Sequence, residues 1–158
     1  MPEPAARLHA NWGYFAVVYT VMTLAMGAAA FGLDVLLNIT GAQIGLTIGG
    51  FIAAAVLAGL KYVRSHGNVW TARERHHLAL AYALTSFLVS ALVMGAVTLA
   101  IFVVEGQIDA LLQPLADPSF YVFLGVSFLV GLVIYYLLAR FALFVVDRAA
   151  HAGAGQTL

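Results

Sequence analysis

Residues 61–77 read KYVRSHGNVWTARERHH and carry Lys61, Arg64, Arg73 and Arg75, four of the seven basic residues of a chain that is otherwise mostly hydrocarbon. Of the 158 residues, 63% are hydrophobic and 9% are charged, and the mean hydropathy is +0.98. Soluble domains carry roughly 25% charged residues, so a water-facing surface is out of reach for this composition. The basic interval therefore reads as a loop between stretches that belong in lipid. Seven basic residues balance seven acidic ones, which gives no basic character for nucleic acid and no acidic tail. There is no cysteine, and that excludes disulfides, thiol relays, thiolate nucleophiles and cysteine metal sites.

Upstream of the loop, an apolar run over residues 42–63 has the roughly 20-residue length a helix needs to cross about 30 Å of hydrocarbon. Gly41, Gly45, Gly49 and Ala53 recur along it every four residues, a narrow face that lets another helix approach closely. Packing inside the bundle is the expected use of that face, and a dimer interface is the other. DVLLNIT, residues 34–40, has no base and forms the preceding turn; its Asn38-Ile39-Thr40 sequon lies too near the membrane to imply glycosylation. The first span covers residues 12–33, introduced by Trp12 and Tyr14. A cleaved signal peptide ending near Ala28, Ala29 and Ala30 is the rival reading, although the apolar run exceeds an h-region of about 7–15 residues. MPEPAARLHAN is expected to be a poorly ordered tail.

Downstream, Thr71-Ala72-Arg73-Glu74 has capping-box spacing: the Thr71 hydroxyl satisfies an N–H of the first turn and Glu74 reaches back to the cap. The third helix starts there, in water, and its span over residues 75–104 must tilt or project beyond the membrane core. EGQIDALLQPLAD, residues 105–117, again has acids and no bases; Ile108, Leu111, Leu112 and Leu115 suggest a short interfacial turn broken by Pro114. Asp117 as N-cap and Pro118 as first helical residue open the fourth span, 118–146. Residues 1–150 thus read as a single all-α, four-helix transmembrane domain, with 151–158 as a flexible tail.

The basic residues fall at Arg7, in the middle loop, and at Arg140 and Arg148. With four spans these places share one side, which the positive-inside rule makes cytoplasmic, so both termini are expected inside. The histidines His9, His66, His76, His77 and His151 lie there too. His76 and His77 point about 100° apart on a helix and form no ligand pair by themselves. They read as interfacial surface residues, and no metal or cofactor site is expected.

Arg140 follows most of the fourth span, where a snorkelling side chain at the boundary is the expected role. An inward-facing arginine paired with Glu74, or holding an anion or lipid phosphate, is the alternative. Tyr82, Thr85, Ser86, Ser90 and Thr98 on the third helix, with Ser127, Gly131 and Tyr135 on the fourth, form a polar stripe. Such groups usually bond across helices or to the preceding turn; a polar path is the other use. Ser127 and Gly131 are expected packing positions. No metalloprotease, nucleophile-elbow or phosphate-loop motif occurs, and no intramembrane carboxylate pair. Glu105, Asp109 and Asp117 are expected to stay solvated.

Over Gly49 to Leu88 the chain resembles an uncharacterised family of small bacterial four-helix inner-membrane proteins. The likeness rests on a small-residue helix ending in an aromatic and basic patch, a short loop, and the start marked by Thr71, Glu74 and Arg75. Trp70 stands where that pattern has proline. The resemblance implies a bacterial plasma membrane and four spans, and brings no catalytic residues. The resulting expectation is a non-enzymatic accessory or interaction protein, with membrane lipids, a membrane-protein partner or a second copy as its contacts. Lys61, Arg64, Arg73, Arg75 and Arg140 are its candidate contacts with a partner or lipid headgroups. A small-solute or ion transporter is the alternative, and a membrane enzyme comes last.

Overall fold

The computed structural model describes residues 4–38, 42–66, 70–106 and 113–154. Among them are four long helices, α1 (Pro4–Leu37), α2 (Ala42–His66), α3 (Ala72–Val104) and α4 (Pro118–Ala154), and one short 3₁₀ turn, Gln113–Ala116. All four are long and apolar enough to span a membrane. At 1.5 Å per residue α1, α3 and α4 reach about 50 Å or more, longer than a hydrocarbon core of about 30 Å is thick.

Their ends follow local chemistry. Asn38 closes α1 with φ 53°, a left-handed conformation that asparagine tolerates, and its N–H donates to Asp34 O at 3.1 Å. Thr71 caps α3 with both halves of the capping box in place. Gly106, at φ 67°, ends α3, and a side chain there would strain the backbone. Asp117 Oδ1 accepts from the Ser119 N–H at 2.9 Å and opens α4.

The helices run past the expected spans: residues 34–37 of the expected turn belong to α1, α2 continues to His66, and the largest extensions are at the start of α1 and the end of α4. α1 begins at Pro4, not near Trp12: proline is pre-organised for the first helical position. The start is held by contacts further along, where Asn11 Nδ2 donates to Tyr82 OH at 2.6 Å and Trp12 Nε1 donates to Thr85 Oγ1. α4 continues to Ala154 rather than stopping near Val146, fastened by the pairing of Asp147 with Arg75 on α3. Ile108, Leu111 and Leu112 of the expected interfacial turn lie outside the described residues.

The helices form a ring. α1 packs on α2 and α3, and α4 packs on α2 and α3, while the diagonal pairs barely touch. The chain must therefore cross the basic end diagonally to pass from α2 to α3. Trp70 lies in that crossing, 6% exposed, tilted on Tyr62 with ring centroids 5.5 Å apart. Its indole also faces Gly59 of α2, where an added Cβ would come within 3.2 Å of the ring.

The packed core occupies the half of the bundle nearest this crossing. Phe15 stacks on Tyr82 at 4.0 Å and on Tyr19 at 5.6 Å, and Phe51 meets Phe15, Tyr19 and Tyr135 edge-on. Small residues let the backbones close around these rings: Ala54, Ala55 and Ala58 on α2, Ala79 and Ala83 on α3, and Ala139 and Ala142 on α4 are all fully buried. Towards the opposite end, Phe31, Leu36, Leu92, Val104 and Phe123 stand outside the core, exposed.

This packing corrects the expectation for α2. Gly41 lies outside the described residues. Gly45 and Gly49 are exposed, and a Cβ added to either would meet nothing within 4 Å; Ala53 is half-buried. The helix packs instead through the adjacent stripe of Ala54, Ala55, Ala58 and Gly59. A Cβ at Gly59 would come within 3.2 Å of both Trp70 and Val146. On α4, a Cβ at Gly131 would come within 2.8 Å of the Phe87 ring, whereas Ser127 is exposed.

Candidate functional site

The basic end is where charged side chains collect, and their partners can be followed one by one. Glu74 is held locally: Oε2 accepts from Thr71 N–H at 2.7 Å and from the Thr71 hydroxyl at 2.9 Å, and its own N–H donates to Thr71 Oγ1 at 3.3 Å. The carboxylate is thus committed to the cap and does not pair with Arg140, which removes the Glu74 pairing considered for that arginine. Arg75 Nη1 donates to Asp147 Oδ2 at 3.5 Å, each side chain 24% exposed, and so ties the start of α3 to the last turns of α4.

Arg140 is exposed and turns back along its own helix, donating from Nη1 to Tyr136 OH at 3.4 Å with its guanidinium 5.9 Å from the ring centroid. His76 Nδ1 lies 2.7 Å from the same hydroxyl. Because the guanidinium has only donors, this contact leaves the Tyr136 proton free to point at His76. Among the described residues no group of three His, Asp or Glu converges as a metal site. His151 donates from Nδ1 to Asp147 O at 2.8 Å.

With Glu74 and Asp147 engaged, Lys61, Arg64, Arg73, Arg140 and Arg148 have no carboxylate partner among the described residues. Three of them, Lys61, Arg64 and Arg73, come from the loop and its flanks. Lys61 Nζ sits 3.7 Å from the centroid of the Tyr14 ring on α1, an attraction of about 0.5–1 kcal/mol at an exposed site. Tyr14, Leu57, Leu60, Lys61, Arg64 and Ser65 line a groove of about 420 Å³ beside this contact.

On α3 the part of the polar stripe beside the core, Tyr82, Thr85, Ser86 and Ser90, is built into helix contacts. Tyr82 and Thr85 accept from Asn11 and Trp12 across the α1–α3 interface, and Tyr19 OH and Ser90 Oγ lie 2.9 Å apart. Thr85 and Ser86 also bond back to Ala81 O and Ala83 O, at 2.7 and 2.9 Å. These hydroxyls fasten α1 to α3 around the stacked rings.

Several residues that organise this end escaped the sequence reading. Asn11 stands in the expected tail, and Trp70 reads as a departure from a pattern. Asp147 carried a usable signal: Arg75 and Asp147 are equally far in sequence from Glu105 and Asp117, the ends of the α3–α4 connection, so an antiparallel hairpin brings them level.

No protein-family model, no curated protein and no solved structure matches the chain.

Proposed function

We propose that the chain is a four-span protein of a bacterial inner membrane, with both termini in the cytoplasm, acting as a non-enzymatic accessory subunit. Its cytoplasmic face docks an acidic segment of another membrane protein on Arg73 and its basic neighbours. The observation that carries this reading is the charge inventory of the basic end: its two described acids are committed to Thr71 and Arg75, and Arg73 stands exposed with no carboxylate partner among the described residues. Against the transporter reading stands the use of the core half of the polar stripe: the hydroxyls of Tyr82, Thr85, Ser86 and Ser90 are engaged across helices or with preceding carbonyls around the stacked rings.

The test is purification in mild detergent at native expression, followed by mass spectrometry of what remains bound. A stoichiometric membrane-protein partner that is lost with Arg73→Ala supports the reading. Arg73 is the proper site, because Arg75→Ala would also break the bridge to Asp147. A protein that emerges alone, or as a homo-oligomer, overturns the accessory role.

A further inference from the structure

We infer that the groove between α1 and α2, lined by Tyr14, Leu57, Leu60, Lys61, Arg64 and Ser65, seats one anionic phospholipid, with its phosphate on Lys61 and Arg64 and an acyl chain along α2. This inference rests on the membrane reading above, and it concerns a different surface from the Arg73 docking face.

Two cations at i, i+3 spacing share one wall of the groove. Arg64 has no carboxylate partner among the described residues, and Lys61 is held on the Tyr14 ring, not by an acid. A planar guanidinium fork and an ammonium with three donors both suit a phosphate. The wall below them is aliphatic, Leu57 and Leu60, so the groove changes from charged to apolar in the sense that a lipid does. Further along the same face of α2 the side chains shrink to Ala53 and then Gly49, where an added Cβ would meet nothing within 4 Å. From Lys61 to Gly49 the helix rises about 18 Å, close to the roughly 15 Å of one leaflet of a 30 Å core. A headgroup at Lys61 would therefore place its chain beside the bare backbone near Gly49. Charge complementarity selects an anionic headgroup over a zwitterionic one, each basic residue near the surface adding about 1 kcal/mol of attraction.

The full chain in detergent is titrated with phosphatidylglycerol or with phosphatidylcholine of the same acyl chains, and bound lipid is counted by native mass spectrometry. The expected result is one phosphatidylglycerol retained in preference to phosphatidylcholine. That preference should fall about thirtyfold in Lys61→Gln/Arg64→Gln and persist in Arg73→Gln. Equal retention of the two lipids, or a preference untouched by the double variant, overturns the site. Displacement of the lipid by inorganic phosphate alone also overturns it, in favour of a soluble anion. Leu57→Trp provides a second variant that keeps every charge: it fills the groove and should release the lipid without changing the melting temperature. Partition of the wild-type chain into vesicles separates the two ideas. Failure to insert overturns the membrane reading itself, whereas insertion without lipid discrimination overturns only this site.

Discussion

Asp117 shows how much a single side chain decides at a helix start. It precedes Pro118, accepts from the Ser119 N–H, and is fully exposed, so solvent competes for the bond. The backbone and hydroxyl of Ser119 nonetheless hold its carboxyl below the ordinary range, outweighing a small opposing effect of desolvation. A folded-state pKa below the unfolded one means that the cap's contribution is complete above the ordinary carboxyl range and disappears as the pH falls through the lowered value. Amide exchange at Ser119 and Phe120 should accordingly accelerate, beyond the intrinsic pH trend, only on the acid side of that range. Asp117→Asn keeps an acceptor with no charge to titrate, and should abolish the acid step. An unchanged step in the variant would show that another group is titrating. Caps of this kind were legible from sequence because they are local: Thr71 and Glu74 need only three residues of spacing, and both bonds of their box are present. Trp70 was not legible, because its burial depends on the diagonal crossing from α2 to α3, a property of the ring and not of its neighbours in sequence.

At the scale of one helix, α2 separates two roles for glycine that its sequence presents as equivalent. In lipid the outer face of a helix is as apolar as its inner face, so the amphipathic contrast that marks a core stripe in water is missing. The four-residue series through Gly45 and Gly49 is the more conspicuous pattern, yet Ala54, Ala55, Ala58 and Gly59 make the contacts. The two faces differ in what a new methyl group meets. Gly49→Ala adds a Cβ in open space and removes backbone freedom from the unfolded chain, and should raise stability by up to about 1 kcal/mol. Gly59→Val drives branched atoms into Trp70 and Val146, each 3.2 Å from the Cβ position alone, and should cost about 1–3 kcal/mol. Denaturant unfolding of both variants in the same micelle measures the pair. Opposite signs support the assignment of faces; a loss at Gly49 comparable to that at Gly59 would mean that the outer stripe is also covered, as by a second copy.

For the whole molecule, the decisive feature is the sorting of charge and packing along the bundle axis. Asp34, Glu105 and Asp117 are exposed at the end that has no base among the described residues, whereas Lys61, Arg64, Arg73, Arg75, Arg140 and Arg148 collect at the other. The tight aromatic core sits beside the basic end, and the apolar side chains of the acidic half face outward. In water that outward surface would be a large aggregation-prone patch, and in lipid it is solvated. The positive-inside rule counts bases in short loops near span ends, and this arrangement puts that count wholly on one side. Orientation can be read directly, because a chain without cysteine gives no background to a thiol probe. Ser119 and Ala149 are both exposed, at opposite ends of α4. In intact cells with the outer membrane permeabilised, a membrane-impermeant maleimide should label Ser119→Cys at once. Ala149→Cys should react only after the inner membrane is opened, since its thiol would lie on the cytoplasmic side with Arg148. The reverse pattern would invert the bundle and move the basic end, the lipid groove and the Arg73 surface to the outer face, out of reach of a cytoplasmic segment of a partner membrane protein. Labelling of both sites in intact cells would remove α4 as a span.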